Sequence, residues 1–464
     1  MSVTIRDTMT DPALFGCQFS GSSWKAWRAL LAAFYGLPLD DDERADFQAL
    51  TGRRSAPESA FDELHLVVVG RRGGKSNVSA LIAVYLACFE DYTDRLSPGE
   101  VATVLCLAAD RKQARSVFRY IAGLLHSNPM LERLIVREDK ESIELANRTV
   151  IEVGTASFRS TRGYTLAAVI CDEVAFWRSE DSANPDHEII NALRPGLATL
   201  EGKLIVLSSP YAKRGFLWDT YRRYYGTHDA HILVAQAPSK TMNPSLPQRV
   251  IDQAYDRDPE AAKAEYGAQF RSDLEAFIAR ELVEGVTRTA PLELPYDSRH
   301  RYFAFADPAG GGQDEYTMAI GHKDGSRVVV DLVRAKRGVP SEITADYAAL
   351  MKAYGIRTAQ SDKYAGSWPA DEFAKHGITI EYSPKPRSEL YLDALPAITS
   401  GRVELPPDDR LITQFAGLER KTSKTGRDSV NHSVGAHDDR ANAAAGIIAL
   451  NSHSSHIFDY SRIL

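Results

Sequence analysis

Leu64-His-Leu-Val-Val-Val-Gly70-Arg71-Arg72-Gly73-Gly74-Lys75-Ser76 passes from an apolar run into a loop of glycine and arginine, and the pattern of Asn77–Phe89 that follows is helical. Strand, glycine-rich loop and helix start together make a cradle for phosphate. Glycines let backbone N–H groups turn toward anionic oxygens, and the helix N-terminus adds its dipole. In this reading Gly70, Arg71, Arg72, Gly73 and Gly74 wrap the phosphates of a nucleoside triphosphate. Lys75 neutralises β/γ-phosphate charge and Ser76 ligates Mg²⁺. The usual loop has glycine where this chain has Val69, so the cradle is a divergent one.

About a hundred residues on, Leu166-Ala-Ala-Val-Ile-Cys171 is an apolar strand that ends in Asp172-Glu173. An acid at the end of a strand beside a phosphate loop can hold Mg²⁺, and the following glutamate can orient or deprotonate the attacking water. A further strand, Lys203–Ser208, ends in Ser208-Ser209-Pro210, where small hydroxyl side chains can sense the γ-phosphate. Val101–Ala108 and His231–Ala235 also read as strands, Arg111–His126 as a helix capped by Asp110, and Ser142–Val153 as a hairpin turning at Asn147-Arg148. Several of these runs are apolar at successive positions, as in strands covered by helices on both faces, so a doubly wound α/β sheet is expected.

The rhythm changes after residue 238. Pro238, Pro244, Pro247 and Pro259 punctuate a charged helical stretch, and residues 239–296 read as a linker with a small helical subdomain between domains at 1–238 and 297–464. From Arg301 onward three strands (Arg301–Ala306, Tyr316–Gly321, Arg327–Val333), a helix at Ser341–Tyr354, a strand near Arg357–Ser361, a helix, and a strand at Ile378–Tyr382 follow in the order of an RNase H-like domain. Asp307 ends the first strand, Asp362 follows the fourth, and Asp438-Asp439 begin a final Ala-rich helix. Carboxylates that converge in this way cannot all stay ionised without cations. Two Mg²⁺ or Mn²⁺ ions roughly 4 Å apart would compensate them and clamp a phosphodiester. Asp314, in the turn after Gly310-Gly311-Gly312, is a candidate fourth acid. The stretch Arg420-Lys421-Thr-Ser-Lys424-Thr-Gly-Arg427 concentrates positive charge in a hairpin or loop just ahead of these acids, as a grip on DNA phosphates would.

Composition narrows the class. The 464 residues are 44% hydrophobic and 25% charged, which suits folded domains, two or three by length. With 62 acidic against 55 basic side chains the net charge is −7, so no global positive field holds nucleic acid, and any grip must be local. The four cysteines lack metal-ligand spacing and read as buried, reduced thiols. The longest apolar stretch, Ala80–Phe89, is too short to span a bilayer, and the N-terminus lacks a signal pattern. A soluble intracellular protein is expected.

Taken together, the divergent loop with Arg71, Asp172-Glu173, Ser208-Ser209-Pro210, and then Asp307, Asp362 and Asp438-Asp439 resembles the large terminase subunit of tailed double-stranded DNA bacteriophages over nearly the whole chain. The resemblance implies an ASCE-type P-loop ATPase domain followed by an RNase H-like nuclease domain. It also implies ATP-driven translocation of double-stranded DNA through a portal protein into a procapsid, and metal-dependent cutting of concatemers. The implied cofactors are ATP and Mg²⁺, with Mn²⁺ able to substitute at the nuclease site. The implied partners are DNA, the portal and a small terminase subunit, and the subunit itself forms a ring when docked in the host cytoplasm. Carried onto this chain, Arg71 stabilises transferring phosphate charge, Glu173 is the catalytic glutamate, Ser208 to Pro210 is the coupling motif, and Asp307, Asp362 and Asp438 or Asp439 are the nuclease acids. The family's adenine-contacting glutamine has no counterpart; Trp24, in Ser23-Trp24-Lys25-Ala26-Trp27, either stacks on the base or packs in the core. Arg162 is a candidate for reaching a neighbouring subunit's site. A P-loop helicase or remodelling ATPase with a non-catalytic RNase H-like domain, and an RNase H-like recombinase with a regulatory ATPase, are the competing readings.

Overall fold

The computed structural model describes residues 3–68, 73–156, 163–177, 185–228, 231–308, 315–362, 368–422, 428–433 and 436–452. They form two compact units that meet in sequence at Ser272 and Asp273.

The first unit is built on eight strands: β1 (Glu63–Val68), β2 (Ala102–Ala108), β3 (Ile135–Glu138), β4 (Ser142–Leu145), β5 (Thr149–Thr155), β6 (Leu166–Asp172), β7 (Lys203–Ser208) and β8 (Ile232–Ala237). Their spatial order is β3-β4-β5-β2-β6-β7-β1-β8. The strands from β5 to β8 run parallel, and β3 and β4 extend the sheet antiparallel. Both faces of β2 and β6 are buried along their whole length, which is why their sequences do not alternate. The hairpin turn is where the sequence places it, with Arg148 left-handed at φ 62°. β7 lies between the strand that leads into the phosphate loop and the strand that ends in Asp172, the arrangement of ASCE-type P-loop domains. Register pairs Asp172 with Leu207 and Val67 with Ser208, so loop, acid and hydroxyls leave the sheet at one carboxyl edge.

Residues 239–272 do not stand apart as a linker. Two of their prolines start helices instead of separating domains: Pro247 is the N-cap of Gln248–Arg257, Pro259 occupies the first turn of Pro259–Glu265, and Asp258 caps the latter through Ala261 N at 3.1 Å. The Ser239 backbone N–H reaches the Tyr266 carbonyl at 2.8 Å, and Gln236 of β8 donates to the Ala268 carbonyl, which ties the segment to the first sheet. The N-terminal region, which has no clear periodicity in sequence, is helical at Ile5–Thr10, Lys25–Phe34 and Asp41–Thr51. Cys106 and Cys171 are buried, whereas Cys17 is exposed, contrary to the expectation for all four thiols.

In the second unit β9 (Leu274–Ala276) pairs with β16 (Leu418–Thr422), which forms a hairpin with β17 (Asp428–His432). The main sheet contains β10 (Tyr302–Asp307), β11 (Tyr316–Asp324), β12 (Arg327–Lys336), β13 (Thr358–Ser361), β14 (Thr379–Tyr382) and β15 (Val403–Glu404), in the order β14-β13-β10-β11-β12-β15. β10, β11 and β12 are antiparallel, and β13 joins β10 in parallel, as the RNase H-like order requires. Register pairs Ala306 with Ser361, so Asp307 and Asp362 emerge side by side. The last helix, Asp439–Ser452, lies tightly across this sheet. A methyl group on Gly446 would meet the Phe305 ring at 2.4 Å, and one on Gly321 would meet Ile447 at 2.6 Å. Among the described residues, no helix is long and apolar enough to cross a membrane.

Candidate functional site

At the carboxyl edge of the first sheet the helix Lys75–Cys88 begins directly from Gly74, which is left-handed at φ +93°. Glycine is required there twice over. The backbone conformation is one that L side chains rarely adopt, and an added Cβ would lie 3.0 Å from the Trp24 ring. Trp27 donates from Nε1 to the Gly73 carbonyl at 3.0 Å and is fully buried. Trp24 packs edge-to-face on Phe19, with ring centroids 4.8 Å apart, and also lies against the loop.

Lys75 is buried, and its ammonium donates to Glu173 Oε1 at 2.6 Å and to Ser209 Oγ at 3.0 Å. Glu173 Oε2 accepts from the Ser209 backbone N–H at 3.2 Å and from Ser208 Oγ at 3.4 Å, and Ser208 Oγ in turn accepts from Ala175 N at 3.1 Å. Glu173 adopts a left-handed backbone, φ 54° and ψ 44°, a conformation that costs a non-glycine residue energy and that clusters at functional sites. Asp172 is 7% exposed. Burial, and then the neighbouring Glu173 charge, push its carboxyl up to about 6, against the opposing pull of Lys75. Its Oδ1 is buried without a hydrogen-bond partner among the described residues, which suits a ligand or second-layer partner of a cation held with Ser76. A cavity of about 520 Å³ opens over these groups. Gly73, Gly74, Lys75, Ser76 and Glu173 line it together with Trp24, Tyr120, Met242 and Asn243. The volume and the mixture of apolar walls with a few polar groups suit a nucleotide. Tyr120, Met242 and Asn243 carry no local motif and are invisible as site residues in the sequence. Gly70, Arg71 and Arg72 of the loop, and Arg162, lie outside the described residues.

In the second unit Asp307 and Asp362 are joined by one side chain. Asn442 Nδ2 donates to Asp307 Oδ2 at 2.8 Å and reaches Asp362 Oδ2 at 3.5 Å. Burial raises the Asp307 carboxyl to about 7, and the charges of Asp439, Asp362 and Asp438 add to the effect in that order. Asp438 is turned elsewhere: Oδ1 accepts from Arg387 Nη1 at 2.9 Å and Oδ2 from the Tyr391 hydroxyl at 2.8 Å. Asp439 sits at the start of the last helix. It accepts from the Glu315 backbone N–H at 3.1 Å, and its carbonyl accepts from Thr317, which β11 places opposite Asp307. Among the described residues no three His, Cys, Asp or Glu side chains are gathered as a metal-holding group. The donor set nevertheless fits hard cations, because it is oxygen-rich, and it costs Asp307 its ionisation when nothing positive lies among the acids. Asn442 lies three residues after Asp439 on one helical face, a spacing readable in sequence once the helix start is known. Arg387 and Tyr391 come from a helix, Arg387–Thr399, that carries no such signal. Gly310 to Gly312 and Asp314 lie outside the described residues.

Arg420 and Lys421 of the basic stretch lie on β16. Arg420 pairs with Asp428 at 3.2 Å and Lys421 with Asp273 at 3.7 Å, so two of its four charges have acidic partners. Lys424 and Arg427 lie outside the described residues.

Residues 48–268 match the family model described as "Uncharacterized protein MJ0330, N-terminal P-loop domain". With the strand order above, this makes the first unit an α/β P-loop domain. No curated protein matches the chain. Among solved structures, the chain is similar to the large terminase of bacteriophage HK97, with 16% identity over 91% of this chain and 99% of that one and a TM-score of 0.40. It is similar to the large terminase of a thermophilic bacteriophage, with 14% identity over 87% and 97% and a TM-score of 0.39. The large terminase nuclease of a second thermophilic phage is 20% identical over 37% of this chain and 98% of its own, with a TM-score of 0.32.

Proposed function

We propose that this chain is the large subunit of a viral DNA-packaging terminase, which hydrolyses ATP to drive double-stranded DNA through a portal into a procapsid and cuts concatemeric DNA. One observation carries the reading. A single polypeptide holds a Lys75–Glu173–Ser209 cluster at the phosphate-binding edge of a P-loop sheet and an Asp307–Asp362 pair, with Asp439 near them, on a sheet of RNase H-like order.

At the first site Lys75 holds γ-phosphate charge, Glu173 takes a proton from the attacking water, and Arg71 steadies the transferring phosphate. Mg²⁺ held by Ser76 and Asp172 would supply the remaining charge neutralisation. The Ser208 hydroxyl and the Ser209 N–H hold Oε2 of Glu173, and Ser209 Oγ accepts from Lys75, which is how the Ser208-Ser209-Pro210 segment would register the loss of γ-phosphate. Trp24, which lines the cavity, is the expected stacking partner of the nucleotide base. At the second site Asp307, Asp362 and Asp439 are the acids that would hold Mg²⁺ or Mn²⁺, which would polarise a phosphodiester and activate water. Asp438, already occupied by Arg387 and Tyr391, instead anchors the start of the helix. The small terminase subunit, the portal and further copies of this chain in a ring are the expected partners, in the host cytoplasm.

The test separates two activities in one chain. Glu173→Gln should still bind ATP while hydrolysis falls by about 10²–10⁴, with Mn²⁺-supported plasmid cutting in the absence of ATP unchanged. Asp362→Asn should abolish cutting and leave hydrolysis intact. If the parent hydrolyses ATP but cuts no DNA with Mn²⁺ under any condition, the nuclease half of the reading fails and the helicase-type alternative takes its place.

A further inference from the structure

Asn442 is fully buried on the last helix, and its amide nitrogen faces the Oδ2 atoms of both Asp307 and Asp362. Its other polar atom, Oδ1, is buried and has no hydrogen-bond partner among the described residues. A buried amide that satisfies its donors on two acids and leaves its acceptor unmatched incurs a desolvation cost. That cost disappears if the carbonyl oxygen has a positive partner for part of the protein's working cycle. The carboxylates alone do not make a three-ligand group among the described residues. Asn442 brings a neutral oxygen to the side of two of them.

We propose that Asn442 is an uncharged ligand, added to the acids, of the divalent-cation site that includes Asp307 and Asp362. This rests on the nuclease reading of those two acids. Without a cation the amide donates to both carboxylates and holds their oxygens together. With a cation present a turn about Cβ–Cγ brings Oδ1 to the ion, because a carbonyl oxygen is a ligand for Mg²⁺ or Mn²⁺ and an N–H donor is not. A neutral ligand at this place adds coordination without adding to the repulsion already concentrated on Asp307.

Nucleotide-free full-length chain, titrated with Mn²⁺ by calorimetry and melted in EDTA, tests this in four forms: parent, Asp307→Asn, Asn442→Leu and Asn442→Asp. Asp307→Asn should lose Mn²⁺ binding at this site. Asn442→Leu, similar in size and without polar atoms, should weaken Mn²⁺ at least tenfold, with ATP hydrolysis by the first unit unchanged. Asn442→Asp keeps the shape and an oxygen ligand, so it should bind Mn²⁺ at least as tightly as the parent while melting lower in EDTA. If Asn442→Leu binds Mn²⁺ like the parent while Asp307→Asn does not, Asn442 is no ligand and the proposal falls alone. If Asp307→Asn also binds like the parent, the cation site itself is misassigned. Should Asn442→Leu fail to fold, Asn442→Asp decides: affinity below the parent's overturns the ligand role.

Discussion

Asp307→Asn should stabilise the cation-free protein. In the folded chain Asp307 titrates near 7 against an ordinary 3.8, because it is buried and faces the charges of Asp439, Asp362 and Asp438. A carboxyl whose folded value is raised binds protons more tightly in the native state. Its contribution to stability is therefore complete below about pH 4 and is lost as pH rises through about 7. The difference corresponds to about 4 kcal/mol at full ionisation. Asp307 keeps some solvent access, and we expect about half of this, roughly 2 kcal/mol, to be felt. For a unit of this size that is roughly 4–8 °C in melting temperature. The assay is thermal melting of parent and variant in EDTA from pH 4.5 to 8.5, following the transition of the second unit. The variant should melt close to the parent at the acid end and above it from pH 7 upward. Saturating Mn²⁺ at pH 8 should reverse the order by stabilising the parent alone. A variant that melts at or below the parent at pH 8 in EDTA, or a difference that does not change with pH, would refute the claim that repelling carboxylates surround Asp307.

The two adjacent acids should separate in a paired substitution. Asp439→Asn should remove most Mn²⁺-dependent cutting with little change in melting temperature, whereas Asp438→Asn, which breaks its contacts with Arg387 and Tyr391, should cost about 1–3 kcal/mol of stability; denaturant melts and plasmid cutting of both variants check the assignment. Replacing Arg420, Lys421, Lys424 and Arg427 by alanine should flatten the slope of log DNA affinity against log salt by about 2 and not 4, since Arg420 and Lys421 already have acidic partners, and a slope equal to the parent's would move the DNA grip elsewhere.

What could be read from the sequence follows from where the information lies along the chain. Lys75, Asp172-Glu173 and Ser208-Ser209 each end or follow an apolar run, so both their position and their chemistry show locally, and the strand register then brings them to one edge. Asp307 and Asp362 are legible for the same reason. Tyr120, Met242 and Asn243 join the nucleotide-sized cavity only because the sheet brings distant segments together, and no local pattern announces that. The choice between Asp438 and Asp439 turns on Arg387 and Tyr391, some fifty residues earlier, and adjacent identical residues cannot reveal which one they engage. The segment after residue 238 reads as a linker because prolines interrupt helices when placed inside them. Here Pro247 and Pro259 stand at helix starts, where their missing N–H costs nothing.

The close seat of the last helix has its own consequence. Gly446 brings that helix within van der Waals reach of Phe305, which lies two residues before Asp307 on the same strand, while Asp439 and Asn442 ride on the helix itself. The gap between the acids is therefore a dimension of the hydrophobic core, set by how closely one glycine lets two backbones approach, and surface loops have little authority over it. Tolerance for the distance between reacting oxygens is inherited from the packing of apolar atoms that take no part in the chemistry. A single methyl group more than one helical turn away from any carboxylate on that helix can act as a shim in the cutting machinery.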